Sequence, residues 1–294
     1  MQVFARVVET GSFTRAAETF DLPKGTVTKL VQQLEERLKV RLLHRTTRRV
    51  TVTADGAAYY ERAIRLLNDL DEMESSLSNA QASPSGRLRV DVGTSVARLV
   101  LVPALPDFFS RYPDIQLDLG VTDRPVDLVG DNVDVVLRGG ELTDQSLVAR
   151  RIANLQLVTV ASPGYLRRHG TPRTPQELED GGHTTVNYFS TRTGRPYPQV
   201  FERAGESLEI LGRHRLSLNE ANAHMASVVA GLGVSQVALF GAKAHLASGE
   251  LEPVLADWAR PPIPLYVVYP PNRHLSAKVR AFVEWSAELF GQVR

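Results

Sequence analysis

Cysteine is absent from this chain, which excludes disulfides, a thiolate nucleophile and a cysteine-ligated zinc site. That absence fits a reducing compartment. No apolar run approaches the roughly 20 residues that a membrane-spanning helix needs. No basic stretch followed by an apolar core and a cleavage site opens the sequence, so no signal peptide is expected and a cytoplasmic protein is the default. Catalytic signatures are missing too. The seven histidines are scattered, with no HExxH or HxH spacing. Gly93-Thr94-Ser95-Val96-Ala97 is not a GxSxG elbow. Gly231-Leu232-Gly233 lacks the third glycine of a dinucleotide-binding turn and follows a helical pattern where that turn needs a strand. Repeats and low-complexity tracts are absent, and net charge is only +1.

What is present begins with 294 residues at 43% hydrophobic content, enough for two or three domains with ordinary cores. Val3, Phe4, Val7 and Val8 form one apolar face of a first helix that Gly11 would stop. Ser12 then has the chemistry of an N-cap, and Phe13, Ala16, Ala17 and Phe20 recur at helical spacing up to a turn at Asp21. Pro23 suits the first turn of the next helix, whose expected buried stripe is Val27, Leu30, Val31, Leu34 and Leu38. The small Ala16–Ala17 pair lets two helices cross closely, as a helix-turn-helix requires.

The remaining side chains of that second helix are Lys24, Thr26, Thr28, Lys29, Gln32 and Gln33. They are donor-rich and cluster toward the N-terminal end that meets base edges in the major groove. Gln pairs with adenine, Lys with guanine, and the Thr methyl meets the thymine methyl. A solvated helix face would carry similar residues. The following hairpin tilts the reading toward DNA, because Arg41, His44, Arg45, Arg48 and Arg49 crowd it while Val50 and Val52 alternate with Thr51 and Thr53. Arginines on a wing suit phosphate or minor-groove contacts. Residues 22–53 hold eight Lys and Arg against two Glu, a local +6 that leaves −5 for the rest of the chain. Charge concentrated on one small module is the footprint of a double-stranded-DNA binder.

From 54 to 82 one long helix is expected. Tyr59, Ala63, Leu66, Leu70, Met73, Leu77 and Ala80 are spaced 4, 3, 4, 3, 4, 3, a heptad seam suited to pairing two chains. The alternative is a helix lying on its own domain. Ser83-Pro84-Ser85-Gly86 closes the segment as a linker. A paired seam would hold two basic modules over half-sites about one helical turn, or a multiple, apart.

Beyond residue 86, strands alternate with helices, which indicates a parallel α/β sheet. Strands are expected at 88–92, 115–121 and 134–138, a helix at 96–112 bent near Pro103 and Pro106, and a short helix at 125–130. A second unit begins at Ser162 with strands at 184–188, 215–218 and 234–239 and a helix at 220–230. A strand at 264–269 and a helix at 276–290 return to the first. Two crossings between two α/β lobes make a hinged pair with a cleft.

In that cleft Thr94 and Ser95 follow a strand and precede a helix, an arrangement that suits either an anion site or a plain cap. Arg138 ends a strand at the ligand-binding edge and would pair either with a ligand carboxylate or with an internal acid. Asn187 and Tyr188 could close from the second lobe. Asn219 precedes a helix start as an N-cap candidate, with Glu220 beside it. A small organic anion is the favoured effector.

The chain also resembles a known family. GSFTRAA (Gly11 to Ala17), LPKGTVTKLVQQLEERL (Leu22 to Leu38) and LLHRTTRRVTVTADG (Leu42 to Gly56) are similar to LysR-type transcriptional regulators. The resemblance continues through GRLRV (Gly86 to Val90), Leu101 to Leu119, DVVLRGGELTDQSLVARRI (Asp134 to Ile152), ASPGYLRRHGTP (Ala161 to Pro172) and VVAGLGVSQV (Val228 to Val237). Gly25-Thr26 departs from the usual Ser or Pro followed by Ala, and Asp55 from the usual residues after the wing. Met1 falls inside the first helix, where relatives carry a few more residues.

The resemblance implies a winged helix-turn-helix DNA-binding domain (1–53), a dimerisation linker helix and hinge (54–86), and an effector-binding domain (87–294). The last would have two lobes like a periplasmic binding protein, lobe I being 87–161 with 265–294 and lobe II 162–264. The overall class is mixed α and α/β. The resemblance further implies effector contacts at Thr94, Ser95, Arg138, Ala161 and Asn219, a homodimer that assembles into a homotetramer, and RNA polymerase as a candidate partner. No cofactor, metal or catalytic activity is expected. The rival readings are a solute-binding receptor built on the lobes alone and a metabolic enzyme with a fused helix-turn-helix. The basic module and the missing export signal weigh against the first, and the missing catalytic constellation against the second.

Overall fold

The computed structural model describes residues 1–45, 50–78, 83–128, 130–140, 147–271 and 275–291. The side chains of Arg45, Met73 and Leu77, and residues Arg48, Arg49 and Ala80, lie outside what it describes. The chain divides into two compact units, 1–82 and 83–294.

The first unit opens with α1 (Gln2–Thr10), which ends at Gly11 in the left-handed region, φ 59°, where glycine carries no steric cost. Ser12 caps α2 (Phe13–Thr19) by accepting the Arg15 N–H at 3.4 Å. Asp21 adopts φ 51°, so the turn is made by an Asp in the left-handed conformation that this side chain tolerates. Pro23 is the N-cap of α3 (Lys24–Leu38), one place earlier than the first-turn position expected of it. Val27, Val31 and Leu34 bury one face of α3 against Phe4, Val7, Ala16 and Ala17. Leu30 is 40% exposed and does not belong to the buried stripe. At 100° per residue it lies at the margin of the Val27–Val31–Leu34 line, about 40° beyond Leu34, where the side chain stays in solvent.

Strands β1 (Leu43–Arg45) and β2 (Val50–Val52) pair antiparallel. Helix α4 (Ala54–Ser78) follows. Its first turns dock on the same core, with Tyr59 edge-on to Phe4 at 5.5 Å and Ala63 buried. The proposed seam therefore divides: Tyr59 and Ala63 pack within their own unit, while Leu66 and Leu70 are 57% and 39% exposed.

In the second unit β3 (Gly86–Val92) leads into a continuous helical run made of α5 (Thr94–Val96), a π-helical stretch (Ala97–Leu101) and α6 (Val102–Arg111). Then come β4 (Ile115–Val121), β5 (Val135–Gly139), β6 (Val148–Leu155) and β7 (Leu157–Ala161). No helix occupies the described residues of 125–130, which form a turn. There the Asp127 carboxylate accepts the Gly130 N–H and the Asp131 carboxylate accepts the Asp127 N–H, so side chains supply the acceptors that helical carbonyls would otherwise provide.

Next are α7 (Pro163–His169), β8 (Thr185–Tyr188), the hairpin β9 (Gln199–Arg203) and β10 (Glu206–Ile210), β11 (His214–Leu218), α8 (Ala221–Val229), β12 (Ser235–Ala238), α9 (Leu239–Ser248), β13 (Glu252–Pro253), β14 (Ile263–Tyr269) and α10 (Ala277–Gly291). Lobe I is the five-stranded sheet β4-β3-β5-β14-β6, parallel through β4, β3 and β5 and antiparallel at β14. Its core joins Val90, Leu137, Val267, Phe108, Phe282 and Trp285. Lobe II contains the sheet β12-β7-β13 and the parallel pair β11–β8.

The boundary between the lobes differs from the expected one. Residues 157–161 pair with β12 and β13, so β7 belongs to lobe II and the chain crosses near Gln156. The return falls before Ile263, where β14 begins. Val160 and Ala161 bury in lobe II cores, and that burial assigns the strand.

Candidate DNA and effector sites

Helix α3 turns Lys24, Thr26, Lys29, Gln32 and Gln33 to solvent, with Thr28 half-buried. The Thr28 hydroxyl donates to the Lys24 carbonyl at 3.0 Å, which leaves its methyl and oxygen lone pair for an outside partner. The helix is held to the wing by Glu35, whose Oε1 accepts the Leu42 and Leu43 N–H groups at 2.9 and 3.1 Å. The far end of the wing is fixed by Thr53. Its hydroxyl donates to the Arg41 carbonyl at 2.7 Å and accepts the Gly56 N–H at 2.9 Å, and its N–H donates to the Leu42 carbonyl at 3.0 Å. Sequence reasoning missed Glu35 and Thr53 as organisers. Glu35 carries a charge of the wrong sign for the module, and that was the one available signal.

In the second unit Thr94, from lobe I, and Glu220, from lobe II, meet. Glu220, not Asn219, is the N-cap of α8, accepting the Asn222 and Ala223 N–H groups at 3.0 and 2.7 Å. Asn219 contributes its backbone carbonyl, which accepts the Tyr188 hydroxyl at 2.9 Å. Asp123, just past β4, accepts the Thr94 N–H at 2.7 Å and hydroxyl at 2.8 Å, and the Ala221 N–H at 2.7 Å. The Thr94 hydroxyl also contacts the Glu220 carboxylate. Burial pushes the Glu220 carboxyl up, but hydrogen bonds from Thr94, Asn222 and Ala223 outweigh it and hold the group below its ordinary value. Tyr188 is pushed well above the usual phenol value by burial and by the adjacent Asp123 carboxylate. Ser95 is half-buried beside Thr94.

The other expected effector residues sit elsewhere. The Arg138 guanidinium pairs with Asp91 and donates to the Arg124 carbonyl, the latter at 3.0 Å, while its buried Nε has no hydrogen-bond partner among the described residues. Gly120 makes room for that pair, because a Cβ there would lie 2.6 Å from the Asp91 carboxylate. Ala161 is fully buried in lobe II, and Asn187 is buried with its amide donating to the Leu211 carbonyl at 2.9 Å. Ala161 packs in a lobe II core, and the buried Asn187 Oδ1 has no hydrogen-bond partner among the described residues. Asp123 escaped sequence reasoning. Its only signal is a turn-forming Thr122-Asp123-Arg124-Pro125 after a strand.

No helix among the described residues is long and apolar enough to cross a membrane.

Comparison with known proteins matches residues 1–57 to "Bacterial regulatory helix-turn-helix protein, lysR family" and residues 81–291 to "LysR substrate binding domain". An HTH-type transcriptional repressor of Pseudomonas aeruginosa is 40% identical over 292 residues, covering 99% of this chain and 92% of that protein. The HTH-type transcriptional activator AaeR of Escherichia coli is 31% identical, covering 100% and 94%. Among solved structures, CrgA of Neisseria meningitidis, a LysR-type transcriptional regulator, is 32% identical with a TM-score of 0.62, covering 99% of this chain and 97% of that one. The full-length Vibrio cholerae virulence activator AphB is 29% identical with a TM-score of 0.61, covering 97% of each chain. The match spans both the helix-turn-helix and the two-lobed unit, and the family is one of regulators, not of enzymes. This chain therefore belongs to the LysR family of transcriptional regulators, with an N-terminal DNA-binding domain and a C-terminal effector-binding domain.

Proposed function

We propose that a cytoplasmic homodimer, paired through α4 and assembled further into a tetramer through its sensor domains, reads a two-part operator and changes its output when a small organic anion enters the cleft. The observation that carries the DNA reading is the exposed face of α3. Lys24, Thr26, Thr28, Lys29, Gln32 and Gln33 read base edges, and Arg45, Arg48 and Arg49 grip the backbone. Glu36 is also exposed, one turn beyond Gln32, so repulsion from phosphates ends the base-reading face at Gln32 and Gln33. Exposed Leu66 and Leu70 support pairing through α4, since buried leucines are worth about 1.5–3 kcal/mol each.

Thr94 and Ser95 are the effector contacts on lobe I, and the Ala221 amide is the contact on lobe II. Support for an anion comes from the amides of Thr94 and Ala221, both of which already serve a carboxylate. The effector acts through different affinities for two lobe arrangements. RNA polymerase is the further partner through which output changes.

Selection from a random duplex library near physiological salt tests the reading. An enriched, roughly symmetric two-part motif supports a dimeric reader. The absence of any motif, repeated with an upstream-extended start, would overturn it.

A further inference from the structure

Within the second unit the lobes meet at a contact that the chain makes with its own carboxylate. Asp123 belongs to lobe I and sits just past β4. Its Oδ1 accepts the Thr94 N–H of the same lobe, and its Oδ2 accepts the Ala221 N–H at the start of α8 in lobe II, each at 2.7 Å. One side chain thus ties two lobes together through charge-assisted hydrogen bonds, which are roughly twice as strong as neutral ones.

The same place holds an opposing force. The single Thr94 hydroxyl proton is within reach of both Asp123 and Glu220, and it can serve only one of them at a time. Two carboxylates brought to one hydroxyl repel each other. Tyr188 adds to the confinement, with its hydroxyl donating to the Asn219 carbonyl and its ring edge-on to His224 at 5.7 Å. The contact is held by backbone donors and loosened by like charge, as a releasable strap should be.

We propose that Asp123 is an autoinhibitory strap that closes the two lobes when the cleft holds no effector. On the reading of an anionic effector given above, effector and Asp123 compete for the Thr94 and Ala221 amides, and displacement of Asp123 frees the lobes to change their angle.

The test is amide hydrogen exchange on the full-length protein without DNA or effector, so it does not depend on the regulator reading, which the duplex selection tests separately. Asp123→Ala should speed exchange at least tenfold in peptides covering Thr94–Ala97 and Ala221–Ala223, while β3 and β14 stay protected. Asp123→Asn, which keeps the shape and a neutral acceptor, should give a smaller rise, and it carries the same reading should the alanine variant fail to fold. Sodium acetate should restore protection in Asp123→Ala, and sodium chloride at equal ionic strength should not. Exchange at Ala221–Ala223 within twofold of the parent, a rise spread evenly over both lobes, or no recovery in acetate would each overturn the strap.

Discussion

Glu35 binds Leu42 by its backbone: one carboxylate oxygen on the recognition helix accepts the Leu42 N–H at 2.9 Å and the Leu43 N–H at 3.1 Å. Helix α3, proposed above to read DNA, and the strand that opens the wing are therefore one body. Glu35→Ala strands two partly buried amides, and leaving such a donor unsatisfied costs about 1–3 kcal/mol. Chemical denaturation should report a loss of that order, with weaker DNA binding and an unchanged sequence preference. Glu35→Gln keeps an acceptor and should lose less. Equal stability of the alanine variant and the parent would remove Glu35 from the scaffold.

Gly56 poses a contest of two effects. It lies in α4, where alanine is favoured over glycine by roughly 0.8–1.0 kcal/mol. A Cβ there would sit 2.0 Å from the Leu42 carbonyl oxygen, and backbone cannot yield as a flexible side chain can. Overpacking of this kind costs about 1–3 kcal/mol, so the clash should win. Gly56→Ala is expected to lower the denaturation midpoint of the DNA-binding unit. A raised midpoint would mean that α4 shifts easily away from the wing.

These two contacts mark the boundary of what the sequence makes legible. The helix-turn-helix is readable because Val27, Val31 and Leu34 repeat on a helical period and every neighbouring signal agrees. Leu30 fits the same sequence pattern because hydrophobicity alone does not separate i+3 from i+4 when only one of them reaches the core. The lobes were readable as alternating strands and helices. The hairpin at 199–210, by contrast, and β6, with Arg150 and Arg151 in the middle of an edge strand, carry little apolar periodicity. The cleft was half legible: Thr94 and Glu220 stand beside helix starts, where capping chemistry is local. Asp123 reaches its partners across 29 and 98 positions, and no spacing rule reports a carboxylate delivered by the fold.

Asp91 and Arg138 give a pH-dependent prediction. Burial raises the Asp91 carboxyl, with Arg138 pulling it back down. A carboxyl raised in the folded state binds its proton more readily there than in the unfolded chain, so this group adds stability as pH falls through its folded value. Arg138→Leu removes the opposing charge and leaves a buried carboxylate, at a cost of about 3 kcal/mol near neutrality. That loss should shrink as pH falls and the Asp91 carboxyl takes up its proton. Stability measured at pH 7 and pH 4.5 checks it, and a loss independent of pH would show that Arg138 acts by packing alone.

Leu66 and Leu70 lie one helical turn apart on α4 with no core of their own to enter. If they form the working part of the seam, Leu66→Asp with Leu70→Asp should convert the dimer to monomer without unfolding the winged module, because Tyr59 and Ala63 still dock α4 to α1. Sedimentation velocity reads the mass directly. The full operator should then be bound at least tenfold more weakly and a single half-site about equally well. A dimer that survives both substitutions would place the self-association elsewhere.

Wing and helix should fail in different ways when they are cut back. A cation at a phosphate releases counterions whatever the base sequence, so Arg48→Ala with Arg49→Ala should weaken binding to all duplexes and flatten the slope of log affinity against log salt by about 2. Lys29→Ala or Gln32→Ala removes a base-edge donor, which is worth about 1–3 kcal/mol of discrimination at one position. Each should alter the selected motif at that position and move the salt slope by no more than about 1. Titration over 50–300 mM salt, together with repeat selection, separates the two roles. An unchanged slope in the double arginine variant would remove the wing from the contact set. An unchanged motif in both helix variants would shift base reading toward Lys24, Thr26 and Thr28, at the entrance of α3.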